Sequence, residues 1–256
     1  MGDLKSAEEN HKTALVLSTT ESQKSQALIN IANIQFYQKN YVNAIETYLE
    51  CLRISQNNYE VCYSLGNCYI LTQKYSEAID YYTQALKQLK NFEQPVISEI
   101  YYNLGNAYSS QEKFKESIKY YIKSLKIDAS SPETFYNLGN SQFMNKQFNE
   151  ALLSYESSEK LGGKSSQLTL LKIRTLIEIE ENKETNIAKA EKLINRLLKE
   201  EKANENVLYV YGNLMENKGN KEKALEFYEV IIILLIIFNL IYLRYIVCFK
   251  DKCGVY

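Results

Sequence analysis

The sequence predicts an all-α solenoid of antiparallel helix pairs. Three observations predict it. A segment of about 34 residues returns four times, the mark of a repeat architecture. Inside each copy, apolar and small residues recur at spacings of three and four, the helical period. Only Pro95 and Pro132, with 9 glycines, interrupt 256 residues, too few breakers for many short strands and turns.

The copies begin at Ser25, Tyr59, Ser98 and Pro132. The first two starts lie 34 residues apart, as do the last two; the middle pair is 39 apart. The five additional residues, Glu93 to Ile97, include Pro95 and are expected to lengthen a turn, where insertion costs little loop entropy. Each copy reads as two helices. In the third, SEIYYNLGNAYSSQEKFKESIKYYIKSLKIDASS, one face of the first helix carries Tyr101, Leu104, Gly105 and Tyr108. One face of the second carries Ser117, Tyr121, Ser124 and Leu125. The Leu–Gly pair returns as Leu65–Gly66 and Leu138–Gly139, whereas the first copy has Ile31 and Ala32. Ala44, Ala78, Ser117 and Ala151 hold one place on the second helices, and Tyr48, Tyr82, Tyr121 and Tyr155 another. Glycine costs a helix about 1 kcal/mol, so its return at one phase predicts close packing, with the tyrosines filling space between repeats.

This pattern resembles the tetratricopeptide repeat. The likeness covers Ser25 to Leu161 and, more weakly, the flanks. It implies a right-handed superhelical solenoid whose first helices line a concave face and whose second helices form the back, each unit touching only its neighbours. Residues 1–24 are expected to form a half-repeat capping helix, with Ala7, His11, Ala14 and Leu15 in the Ala, Tyr, Ala and Leu columns and His11 as a packing filler. Four clear units span 25–165, followed by degenerate and partial units over 166–229. The fifth, Ser166 to Ala203, shows apolar faces through Leu168, Leu171, Leu176, Ala190, Ile194 and Leu197. The sixth, from Glu205, places Leu208, Tyr211, Gly212, Ala224 and Tyr228 in the columns.

Several function classes fall away. A net charge of -1 gives no global pull toward nucleic acid. The 5 cysteines form no CxxC pair and His11 is the only histidine, so neither a metal site nor a cofactor is expected. Cys51, Cys62 and Cys68 read as small buried helix residues. The sequence has no GxSxG, P-loop or HExxH motif. Leu161 to Lys164 reads as a helix-ending turn, and Lys199 to Lys202 as a solvated helix surface. The chain is thus read as a non-enzyme. Its polar, acidic start, Met1 to Asn10, predicts no secretory signal and a cytoplasmic setting.

Asparagine recurs just after the Leu–Gly columns, at Asn33, Asn67, Asn106, Asn140 and Asn213. A second set lies three residues earlier, at Asn30, Asn103 and Asn137, with Ser64 in the second unit. Residues three apart share a helix face, and an amide carries both donor and acceptor, so this ladder could hold an extended peptide backbone. Tyr63, Tyr102, Tyr136 and Tyr209 lie one turn away and add aromatic surface. The ladder resembles those in the repeat domains of O-linked N-acetylglucosamine transferase and kinesin light chain. The resemblance places it on the concave face and implies a protein or peptide partner held by an adaptor. The competing reading has these asparagines bonding within the scaffold. A chaperone-tail clamp fits poorly: Asn67 and Asn103 suit its asparagines, but its basic places fall on Tyr63, Glu133 and Asn137, and Glu133 repels a carboxylate.

After Glu229 the composition changes. Residues 230–249, VIIILLIIFNLIYLRYIVCF, carry one charge, Arg244, and as a helix could span a bilayer core of ~30 Å; residues 250–256 follow as a tail. Three readings stay open. The segment is a tail anchor that makes the chain a membrane receptor with cytosolic repeats, a helix capping the solenoid, or translated non-coding sequence replacing further repeats. Ile231 standing in a small-residue place favours the last. A regulatory fragment of a larger enzyme, such as a glycosyltransferase, is a further functional alternative.

Overall fold

A computed structural model describes residues 2–89, 94–200 and 204–233. All regular structure among them is helical: α1 (Gly2–Leu17), α2 (Glu21–Tyr37), α3 (Tyr41–Ile54), α4 (Tyr59–Leu71), α5 (Tyr75–Gln88), α6 (Gln94–Ser110), α7 (Phe114–Ile127), α8 (Pro132–Met144), α9 (Phe148–Lys160), α10 (Ser166–Glu178), α11 (Lys183–Glu200) and α12 (Glu205–Asn217), then α13 over 221–233. Consecutive helices pack as pairs. They fall into two compact units, one reaching Asn145 and one starting at Lys146.

The two helices of a pair start differently. The first helices α2, α4 and α8 carry a side-chain cap: Thr20 forms a capping box with Gln23, Asn58 accepts from the Val61 N–H at 3.2 Å, and Ser131 from that of Thr134 at 3.2 Å. Each cap occupies a backbone donor that the helix leaves unpaired. The second helices α3, α5, α7 and α9 have no such cap. They follow a tight turn built on one left-handed residue: Lys39, Gln73, Glu112 and Lys146 have φ of 63°, 59°, 58° and 61°, and Gly219 has 76°. At Gln73 the turn closes with Gln73 N–H to Ile70 O at 3.0 Å and Lys74 N–H to Tyr69 O at 2.8 Å, the two bonds of a Schellman motif. The same pair recurs at Lys39, Glu112 and Gly219.

Residues 1–145 bury the predicted columns. Leu65, Leu104, Ala44, Ala78, Ser117, Tyr48, Tyr82 and Tyr121 are all buried. The tyrosines also pack inside their own units. Tyr82 and Tyr121 lie against the glycine of their own unit: a Cβ on Gly66 would stand 2.4 Å from Tyr82 Cε1, and one on Gly105 2.5 Å from Tyr121. Serine pairs join the helices. Ser98 Oγ meets Ser124 Oγ at 3.1 Å within a unit, and Ser117 Oγ meets Ser141 Oγ at 2.9 Å across units. Another pair of columns ties the turn end of each pair: Tyr69 stacks on Tyr81 at 5.4 Å and Tyr108 on Tyr120 at 5.2 Å. The first unit has Thr47 donating to Gln35 at 2.9 Å instead. Cys51, Cys62 and Cys68 are buried free thiols.

Three expectations need correction here. Four of the five inserted residues do not lengthen a turn: Gln94 to Ile97 form the opening turn of α6, and Glu93 lies outside the described residues. Pro95 is tolerated there because the first-turn N–H groups lack intrahelical partners. Similarly α2 starts at Glu21, one turn before Ser25, where its capping box sits. Ala14 is exposed, because its column packs on the first helix of its own unit and α1 is flanked by α2 alone; His11 is half-buried.

The unit from Lys146 has a core of Ile173, Ile194, Val207 and Leu214, with Leu168, Ala190 and Leu197 also buried and Leu171 half-buried. Lys172 occupies the leucine column of the degenerate repeat, 8% exposed, and its Nζ reaches Glu159 Oε2 at 2.8 Å. Leu161 to Lys164 ends α9 as expected, with Gly162 at φ 98°. α13 runs past Glu229 to residue 233 without a break, and Val230, Ile232 and Ile233 are exposed. No helix among the described residues is long and apolar enough to cross a membrane. Residues 234–249 of the predicted hydrophobic helix, and the tail, lie outside them.

Candidate functional site

The asparagines after the Leu–Gly columns are fixed by tyrosine. The Tyr82 hydroxyl donates to Asn67 Oδ1 at 2.6 Å and Tyr121 to Asn106 Oδ1 at 2.6 Å; Tyr48 donates to Asn33 in the same way. Tyr228 repeats the bond to Asn213 at 2.6 Å in the other unit. Burial pushes the Tyr48 phenol up to about 12 and those of Tyr82 and Tyr121 higher still, so all three are neutral donors at ordinary pH.

The earlier set bridges successive repeats. Asn103 Nδ2 donates to Asn67 Oδ1 at 3.4 Å, and Asn137 Nδ2 to Asn106 Oδ1 at 3.4 Å and to the Tyr102 hydroxyl at 3.0 Å. Tyr63 and Tyr102 in turn donate to carboxylates one repeat on, Tyr63 to Glu99 and Tyr102 to Glu133 Oε1 at 2.7 Å. Burial and then these carboxylates hold both phenols up at about 12. The structure therefore assembles two clusters of one design. One is Tyr63, Asn67, Tyr82, Glu99 and Asn103; the other is Tyr102, Asn106, Tyr121, Glu133 and Asn137.

The remaining candidates stand apart from the clusters. Asn30 accepts from Gln26 Nε2 at 3.3 Å, on the first helix where Ile29 takes the tyrosine's place. Tyr136 and Asn140 hold the same register on α8 and are half-buried. Tyr209 is 52% exposed and lies in the unit from Lys146, its ring 6.1 Å from Tyr228. Glu99 was missed by sequence reasoning, which met Glu133 only as a residue that repels a carboxylate. The signal was present: glutamate stands second in three successive copies, as Glu60, Glu99 and Glu133.

This fold of repeated helix pairs defines a class, and the comparisons agree with it. The Tetratricopeptide repeat profile matches residues 23–91 and again 59–130. Residues 23–130 thus belong to the tetratricopeptide repeat family, and the described helix pairs beyond them continue the same fold. It is similar to a tetratricopeptide repeat protein from Parabacteroides merdae, at 19% identity and a TM-score of 0.60, over 90% of this chain and 86% of that one. PilF of Pseudomonas aeruginosa aligns at 19% identity and a TM-score of 0.61, over 80% and 88%. YrrB, described as a TPR protein with an unusual peptide-binding site, aligns at 18% identity and a TM-score of 0.60, over 87% and 100%. At such identities the likeness is one of fold. No curated protein sequence matches. The fold is that of a protein-interaction scaffold, and proteins of this family are in general non-catalytic.

Proposed function

We propose that the chain is an adaptor that holds an extended peptide along the face of α4, α6 and α8, with Asn103 and Asn137 as its main backbone contacts. One observation carries the reading. The scaffold bonds of these two asparagines all run through Nδ2, and each Oδ1 accepts no bond among the described residues. A pinned amide with a spare acceptor is preorganised to receive a peptide N–H, at little entropy cost. Asn33, Asn67 and Asn106 spend Oδ1 on tyrosine and act chiefly as supports. Tyr63 and Tyr102 offer ring surface beside them. The peptide-binding site attributed to YrrB supports the general mode, on a chain of similar fold.

The test uses a peptide selected from a random twelve-residue display library on the whole chain. Its affinity for Asn103→Ala with Asn137→Ala, followed by fluorescence anisotropy, is expected to fall roughly tenfold, since each lost hydrogen bond is worth about 0.5–1.5 kcal/mol. Unchanged affinity in a variant whose circular dichroism is native sinks the proposal.

A further inference from the structure

We infer that the partner segment is basic, and that a lysine or arginine side chain of it enters a cleft between the first turns of α6 and α8. The inference rests on the peptide-binding reading and adds the chemistry of the peptide.

The cleft has a volume of about 540 Å³. Pro95, Tyr102 and Ile127 give it apolar walls, and Glu99, Asp128 and Glu133 give it carboxylates. The inserted residues open α6 a turn early, as α2 also opens, and Gln94 and Pro95 of that turn form one wall of the cleft.

Its acids are unneutralised. Glu99 and Glu133 each accept one tyrosine hydroxyl, and Asp128 accepts from Ser130 N–H at 2.9 Å and from its hydroxyl. Those Ser130 bonds hold the Asp128 carboxyl below the usual range, keeping it charged. No lysine or arginine pairs with any of the three among the described residues.

The imbalance extends along the face. α4, α6 and α8 contain Glu60, Glu99 and Glu133 and not one Lys, Arg or His. The described cations of this stretch sit on second helices or in the turns before them: Lys74, Lys87, Lys113, Lys115, Lys119, Lys123 and Lys126. Cations are thus absent from these first helices, and their charged residues have one sign. A face of one sign draws a partner of the other. Among the described residues no three acids, histidines or cysteines converge tightly enough to hold a metal ion. A long side chain meets the geometry better. Its methylene stem lies on Tyr102 and Ile127 while its head reaches carboxylates set apart from one another.

The experiment selects twelve-residue peptides from the random library on two full chains, the natural one and Glu99→Gln/Asp128→Asn/Glu133→Gln. Amides keep an acceptor oxygen for Tyr63, Tyr102 and Ser130 while removing the charge. Binders of the natural chain should be enriched in lysine and arginine, and the variant should lose that enrichment and bind a selected basic peptide roughly tenfold more weakly. Binders without basic enrichment, or equal enrichment on both chains, overturn the inference and leave the peptide reading standing. A library that yields no binder overturns both. Should the variant fold poorly, the natural chain decides alone: its affinity for a selected basic peptide must weaken steeply from about 50 to about 500 mM salt, and a flat response overturns the inference.

Discussion

Gly105→Ala tests the packing that sets every unit. A Cβ at that position would stand 2.5 Å from Cδ1 and Cε1 of Tyr121, about 0.9 Å inside the 3.4 Å onset of ordinary contact. The ring is 1% exposed, so the obstacle sits in the core rather than at a free end. Backing away by that distance carries the hydroxyl from 2.6 Å to about 3.5 Å from Asn106 Oδ1, beyond a good hydrogen bond. Overpacking costs about 1–3 kcal/mol and the lost bond about 0.5–1.5, against about 1 kcal/mol gained from alanine in a helix. The net loss is about 1–3 kcal/mol, a fall in Tm of roughly 3 to 10 °C in a chain of this size. Thermal melts by circular dichroism measure it, and hydrogen exchange of α6 and α7 locates it. The first unit supplies the counter-case, since Tyr48 still reaches Asn33 with Ala32 in the glycine column. An unchanged or raised Tm would show that Tyr121 settles as Tyr48 has, and the steric argument would be wrong.

Other perturbations probe separate features. Lys172→Leu restores the leucine column and removes a largely buried charge; Tm should hold or rise by up to about 1 kcal/mol of stability, and a clear fall would mean the Glu159 pair outweighs apolar packing. Glu112→Gly relieves a left-handed residue and should stabilise by about 0.5–1 kcal/mol in urea melts, whereas Glu112→Val should destabilise. The buried phenols set an alkaline limit. Their folded pKa lies above the ordinary 10.0, at about 12 for Tyr48, Tyr63 and Tyr102, so the folded chain keeps protons that the unfolded chain releases. Stability should be full below about pH 10 and drain away as pH rises through about 12. Ionisation absorbance at 295 nm should then lag behind that of exposed tyrosine until the helices melt.

The columns of the repeat were legible because the same packing problem is solved at one phase several times, and self-comparison exposes it. What packing does not repeat stayed hidden. Gln94 to Ile97 looked like a turn because the alignment placed them between units, and only a cap further upstream would have marked the helix. Lys39, Gln73 and Glu112 adopt left-handed backbone without being glycine, so residue type gave no sign; Gly219 at the same place was the one clue. Lys172 broke the leucine column, and its partner Glu159 lies 13 residues away on another helix. The site was half legible. Its asparagine columns were plain, as was the alternative that they bond inward. Which atom of each amide is spent depends on a tyrosine fifteen residues further on, and that pairing appears only once the helices are docked. Tyr69 with Tyr81, and Gln35 with Thr47, teach the same lesson: two columns change together because they touch.

The Tyr–Asn tie has a mechanical meaning. Each one closes inside its own helix pair, as do the Ser98–Ser124 contact and the stacked tyrosines, while other polar links, such as Asn103 to Asn67, Tyr102 to Glu133 and Ser117 to Ser141, cross from pair to pair. A pair that lets go therefore breaks ties of its own and ties to the next pair at the same time, so its loosening should be felt by its neighbours, and it regains its full set of bonds only against them.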